Sequence, residues 1–149
     1  MIRIKAVDEE NILDVCELRT KQDDIRAAIE GHSYGNAISI AEAKYRSGMY
    51  PNAIYNNDAL IGFFMYQRAE NHTETARICR FMLDDRFRRN RLEEKALEHI
   101  LRGLKIQGVK EVTVMIDPAN ENAKELYLPF GFHSTGEIDK AGYCYKLKM

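Results

Sequence analysis

The sequence predicts a single domain of mixed α/β class, with six or seven strands and helices set between them. Three stretches carry that expectation. Residues 77–104 read as strand, short loop and helix: a β-rich run to Leu83, then Asp84-Asp85 and an arginine-dense loop, then Leu92, Ala96, Leu97, Ile100, Leu101 and Leu104 at the spacing of one buried helical face. Residues 111–116 form a second β-rich run, closed by Asp117-Pro118, where the residue before proline is held extended. Residues 52–66 hold two more such runs around the turn Asn56-Asn57-Asp58, the pattern of an antiparallel hairpin.

In chain order, Ile2, Ile4 and Ala6 alternate with Arg3 and Lys5 as in a half-buried first strand. Asp8 is a candidate N-cap for a helix whose apolar side is Ile12, Leu13, Val15, Cys16 and Leu18. Residues 21–30 suit a second helix, with Ile25, Ala28 and Ile29 inward, and residues 31–36 a loop. Ser39 and Glu42 have capping-box spacing and predict a short helix opening there and running to about residue 46. In the hairpin that follows, Gly62 marks a bulge or a close backbone approach. Residues 71–75 form a polar turn into the strand at 77–83. Gln107-Gly108 stops the central helix. Asn120 can cap a short helix carrying Ala123, Leu126 and Tyr127, which Pro129 and Gly131 end. Residues 132–137 and 143–148 make a closing hairpin across 139–142.

Composition narrows the function classes. The chain has 149 residues, 45% hydrophobic and 30% charged, as an ordinary globular domain does. A net charge of −1, with acids interleaved among the arginines, argues against a nucleic-acid partner. No run is long and apolar enough for a membrane span or a signal peptide, so a cytoplasmic protein with no membrane partner is expected. Cys16, Cys79 and Cys144 lack ligand spacing and sit in apolar-patterned segments, as buried thiols would. His32, His72, His99 and His133 also lack metal spacing, so no metal is expected.

A strand, a short loop and a helix together aim backbone N–H groups and the positive end of a helix dipole at whatever lies beyond the strand, a common way to hold a pyrophosphate. The usual loop contains glycines that let the ligand approach closely. Here arginines and a glutamate stand in their place.

Residues 120–132, Asn-Glu-Asn-Ala-Lys-Glu-Leu-Tyr-Leu-Pro-Phe-Gly-Phe, resemble the N-x-x-A-x-x-L-Y-x-x-x-G-F signature of the GNAT superfamily of N-acetyltransferases. The layout is most similar to the bacterial spermine/spermidine acetyltransferases, through Phe81-Met82-Leu83-Asp84 followed by Arg86-Phe87. The resemblance spans residues 1–149. It implies a GNAT-like α+β fold: a central twisted, mixed, mostly antiparallel sheet flanked by helices, split between the strands ending near Leu83 and Ile116. It implies acetyl-CoA as cosubstrate, a small-molecule primary amine as acceptor, with polyamines one class, and leaves a homodimer open.

By the same resemblance, Phe81, Met82 and Leu83 present backbone groups to the acetyl and pantetheine portions. Arg88, Arg89, Asn90, Arg91, Leu92, Glu93 and Glu94 surround the pyrophosphate, Asn120 contacts the pantetheine arm, and Tyr127 sits beside the thioester sulfur. Of the family's Gln/Arg-x-x-Gly-x-Gly/Ala loop, Arg88 matches the first position, while Arg91 and Glu93 replace the small residues. Three readings stay open: obstruction by those side chains, a guanidinium clamp on the phosphates by Arg86, Arg88, Arg89 and Arg91, or an ordinary charged first turn. A catalytically lapsed domain that binds a ligand or partner is the alternative function.

Acetyl transfer to an amine needs a deprotonated nucleophile, N–H donors for the oxyanion and a proton for the leaving thiolate. Tyr127 is the candidate for that last role. No general base stands out: Glu70 and Glu74 border the strand at 77–83 but suit the surface, and Asp84 and Asp85 suit loop shaping or pairing with its arginines. Asp23, Asp24 and Glu30 are candidates for binding the ammonium groups of a polyamine.

Overall fold

The computed structural model describes residues 1–20, 35–140 and 142–149. Its strands are β1 (Ile2–Ala6), β2 (Met49–Asn56), β3 (Ala59–Gln67), β4 (Thr75–Leu83), β5 (Glu111–Ile116), β6 (His133–Asp139) and β7 (Gly142–Lys148). They form one sheet in the order β1-β2-β3-β4-β5-β7-β6, antiparallel throughout except at β4–β5. The described helices are α1 (Ile12–Glu17), α2 (Asn36–Tyr45), α3 (Leu92–Ile106) and α4 (Glu121–Tyr127). The mixed, mostly antiparallel sheet flanked by helices is the expected α+β fold. Asp23, Asp24 and Glu30, and the helix expected over 21–30, lie outside the described residues.

Each face of the sheet has its own core. α3 lays Ala96, Leu97, Ile100, Leu101 and Leu104 onto Ile54, Phe64, Ile78 and Val112, and Tyr127 and Phe132 extend that cluster. On the other face Val15 and Leu18 pack with Ala53, Phe63, Met65 and Met82. Leu97 is wholly buried, so Leu97→Ala should lower unfolding free energy by about 2–5 kcal/mol in a urea titration.

Four local expectations are corrected. Asp8 caps the turn before α1: its carboxylate accepts the N–H groups of Glu10 and Asn11 at 2.9 and 3.0 Å, and Asn11 is the residue at the helix start. Leu13, expected on the apolar side of α1, is 76% exposed. α2 opens at Asn36 behind Gly35, so Ser39 lies inside the helix and no capping box forms. The reason is tertiary. Asn36 is 1% exposed, its amide donates to the Val15 carbonyl at 2.9 Å, and its Oδ1 accepts Arg80 Nε at 2.8 Å. Those bonds dock the helix start three residues earlier than the local pattern suggests. Among the cysteines only Cys144 is buried, whereas Cys16 is half-buried and Cys79 exposed.

The exposure of Cys79 follows from a β-bulge. Met65 pairs with Arg80 and Tyr66 with Ile78, so Cys79 has no partner on β3. A bulge bends and over-twists its strand, and β4 leaves β5 at that point. Their parallel ladder runs from Thr75↔Glu111 to Ile78↔Val114 and stops. Beyond it β5 pairs, among the described residues, only with β7, and between residues 79–83 and 115–116 no described strand completes the sheet. Gly62 fits its expectation as a close approach: a Cβ there would overlap the Met82 carbonyl and the Leu83 side chain.

Candidate active site

The opening has β4 on one side and the end of β5 on the other. Phe81, Met82 and Leu83 pair with Phe64, Phe63 and Gly62 across β3, which leaves their β5-side backbone edge without a strand partner among the described residues. Leu83 and Met82 are anchored in opposite cores and Phe81 packs against the α3 side. The exposed backbone edge therefore rests on well-packed side chains.

Asp84 organises the turn where β4 ends. It is buried; its N–H donates to Ile61 O at 2.8 Å, and its carboxylate accepts the N–H groups of Arg19 at 3.0 Å and Arg86 at 3.0 Å. Arg86 Nε adds a bond at 2.8 Å, and its guanidinium lies 5.2 Å from the Phe87 ring centroid. Burial alone would raise the Asp84 carboxyl, but the side-chain and backbone bonds from Arg86, with the Arg19 N–H, hold it below its ordinary 3.8. A depressed acid contributes stability above its unfolded pKa and loses it as pH falls through the folded one. Asp84→Asn should therefore cost about 1.5–3 kcal/mol near neutrality, the range for charged hydrogen bonds. In paired urea titrations at several pH values, that deficit should shrink below the ordinary 3.8.

After the short 3-10 turn Asp85–Phe87 the chain reaches the start of α3. Asn90 and Arg91 both have φ of 57°, the left-handed region that favours glycine. The glycines are absent, yet the backbone keeps the conformation glycines would allow. The Leu92 N–H is taken by the Arg89 carbonyl at 3.1 Å and half-buried Leu92 packs on the core. The N–H groups of Glu93 and Glu94 come next, in the turn where helix geometry offers no internal acceptor. A left-handed residue followed by a right-handed helix start forms a concavity of N–H groups suited to an anion.

The side chains around that concavity pair among themselves. Arg88 Nε lies 2.7 Å from Glu93 Oε1 and Arg88 Nη1 3.5 Å from Asp85 Oδ1, and Arg91 Nε lies 2.6 Å from Glu94 Oε2. The bond to Glu93, above all, pushes the Arg88 guanidinium further above its usual range. Arg89 is exposed and makes no ion pair among the described residues.

α4 closes the site. Asn120 Oδ1 accepts the Ala123 N–H at 3.1 Å, as an N-cap should, and its amide nitrogen makes no hydrogen bond among the described residues. Tyr127 is 6% exposed, and its ring stands edge-on to Phe132, 5.3 Å between centroids. Its hydroxyl bonds to none of the described residues. No fully buried polar side-chain atom there lacks a partner, so the hydroxyl keeps some contact with solvent. Burial, then the negative charge of Glu93, pushes its ionisation well above the ordinary 10.0. The phenol is neutral, as a proton donor must be.

Between α3 and α4 is a cavity of about 480 Å³ that the sequence reading missed, lined by Arg91, Lys95, Glu98, Glu125, Leu126 and Phe130 among others. Its only trace in the sequence is the i, i+4, i+7 run of Arg91, Lys95 and Glu98 on the outer side of α3. Glu74 is excluded as a base by position: its carbonyl accepts the N–H groups of Lys110 and Glu111 where β4 and β5 are paired, at the closed end of the opening. Among the described residues no three His, Cys, Asp or Glu side chains are grouped to hold a metal ion, and no helix is long and apolar enough to cross a membrane.

Comparison with known proteins agrees with this architecture. The spermine/spermidine N(1)-acetyltransferase of Bacillus subtilis (strain 168) is 26% identical over 147 residues, covering 95% of this chain and 93% of that one. In fold, the chain matches the PaiA N-acetyltransferase of Thermoplasma acidophilum, solved in complex with coenzyme A, with a TM-score of 0.71 at 16% identity over 100% of this chain and 99% of that one. The ribosomal-protein-S18-alanine N-acetyltransferase of Escherichia coli matches with a TM-score of 0.66 at 16% identity, covering 99% and 94% of the two chains. The model of the acetyltransferase (GNAT) family matches residues 13–132, most of the chain including the opening, the loop and α4, and the chain belongs to that family.

Proposed function

We propose that this acetyltransferase uses acetyl-CoA and acetylates a primary amine of a small molecule, with polyamines the acceptor class to test first. The observation that carries the proposal is the opening of the sheet at the Cys79 bulge, where β4 leaves β5 just before the chain runs on to the anion-suited start of α3. The polyamine part is supported by the likeness to the Bacillus subtilis spermine/spermidine N(1)-acetyltransferase.

When bound, acetyl-CoA supplies an activated acyl group on a thiolate leaving group. The free backbone edge of residues 81–83 offers N–H and C=O groups to the acyl and pantetheine portions, and an N–H aimed at the carbonyl oxygen stabilises the charge that develops there. The Asn120 amide is in reserve for the pantetheine arm. The start of α3 and Arg88 hold the phosphates. The outer cavity offers apolar Leu126 and Phe130 as surfaces for the adenine ring. Tyr127 delivers its proton to the departing sulfur.

Incubating the protein with acetyl-CoA and spermidine, spermine or a monoamine, and following free thiol, tests this reading. Thiol release that depends on both protein and polyamine is expected. Release with none of the amines would remove small amines as acceptors, and release with the monoamine alone would remove the polyamine assignment.

A further inference from the structure

On the acetyl-CoA reading above, Glu93 has a part of its own in the loop. Glu93 stands in the first turn of α3, where the family loop has a small residue, and its carboxylate holds Arg88 Nε at 2.7 Å. Arg88 and Glu93 side chains are 35% and 28% exposed, while in the pair Arg91–Glu94 the arginine is 81% exposed. Solvent and salt screen the second pair far more than the first. Asp85 holds Arg88 from its other side at 3.5 Å. The best-shielded cation of the loop is thus held by two carboxylates of the chain itself, one of them attached to the helix start that would receive an anion.

We propose that Glu93 sets the affinity and selectivity of the phosphate loop as an internal competitor: its carboxylate occupies Arg88 until a diphosphate takes its place. The exchange moves Arg88 from carboxylate to phosphate and leaves the first-turn N–H groups for the same ligand. A lone monovalent anion offers too little to displace a guanidinium held from two sides. Two adjacent phosphate groups replace one pair and fill the N–H concavity together. The chain has thereby given up some affinity for CoA in return for a loop that ignores simple anions.

Calorimetric titration of CoA, inorganic pyrophosphate and inorganic phosphate into the wild type, Glu93→Gln, Glu94→Gln, Arg88→Ala and the Arg88→Ala/Glu93→Gln double variant tests the proposal. Glu93→Gln should tighten CoA by about five- to twentyfold and gain measurable affinity for phosphate, whereas Glu94→Gln should stay within about twofold, as exposed pairs do. The gain from Glu93→Gln should be smaller once Arg88 is gone, since no pair remains to exchange. A gain as large or larger without Arg88 would mean simple repulsion and overturn the exchange. Unchanged or weaker binding in Glu93→Gln would overturn it too, while CoA binding by the wild type left the acetyl-CoA reading standing. Absence of CoA binding in every protein would overturn both.

Discussion

Tyr127→Phe should lower kcat by about 10²-fold or more and leave CoA affinity almost unchanged, because only proton donation to the leaving thiolate is lost. The substitution suits the purpose. The Tyr127 ring packs edge-on to Phe132 and its hydroxyl bonds to none of the described residues, so phenylalanine keeps the packing and orphans no partner. Thermal unfolding should therefore match the wild type. The pH dependence gives a second check. Since burial, with the charge of Glu93, keeps the Tyr127 phenol neutral beyond its ordinary 10.0, a rise in rate with pH below that value is not a titration of Tyr127. Steady-state kinetics with turnover equal to wild type would remove Tyr127 from the chemistry.

Arg88→Ala should weaken CoA binding by about 1.5–3 kcal/mol, the range for charged hydrogen bonds, or about 10- to 150-fold in Kd. Arg91→Gly should behave oppositely. Arg91 is 81% exposed, so it contributes little as a clamp, and it holds a left-handed backbone that costs a non-glycine residue about 1–2 kcal/mol. Glycine relieves that strain but has more freedom to lose on folding, so stability should change by less than about 1 kcal/mol while the phosphate approach opens. CoA affinity equal or tighter in Arg91→Gly and clearly weaker in Arg88→Ala is the expected pair of results. Loss of affinity in Arg91→Gly would restore Arg91 as a clamp.

Much of the fold was legible because long periodic segments read themselves. The apolar stripe of α3, the β5 run ended by Asp117-Pro118, and the Asn120 cap followed by Ala123 and Tyr127 all rest on local patterns that the packing respects. What stayed hidden depends on contacts distant in sequence. Nothing near Ser39 announces that Asn36 binds the Val15 carbonyl and Arg80, which decides where α2 starts. Cys79 sits in an apolar run, and only pairing with β3 shows that it is the extra residue of a bulge. An arginine at position 91 argues against φ of 57°, so the glycine-like loop backbone was invisible behind its side chains. The acids of the loop were legible as a charged first turn. That Glu93 chooses Arg88, five residues earlier and already bonded to Asp85, was not.

The opening between β4 and β5 and the start of α3 are together the place where CoA should bind, and titrating CoA into the wild-type protein by calorimetry tests this most directly. A saturable isotherm with one site per chain is the expected result. Absence of binding at millimolar CoA would contradict it.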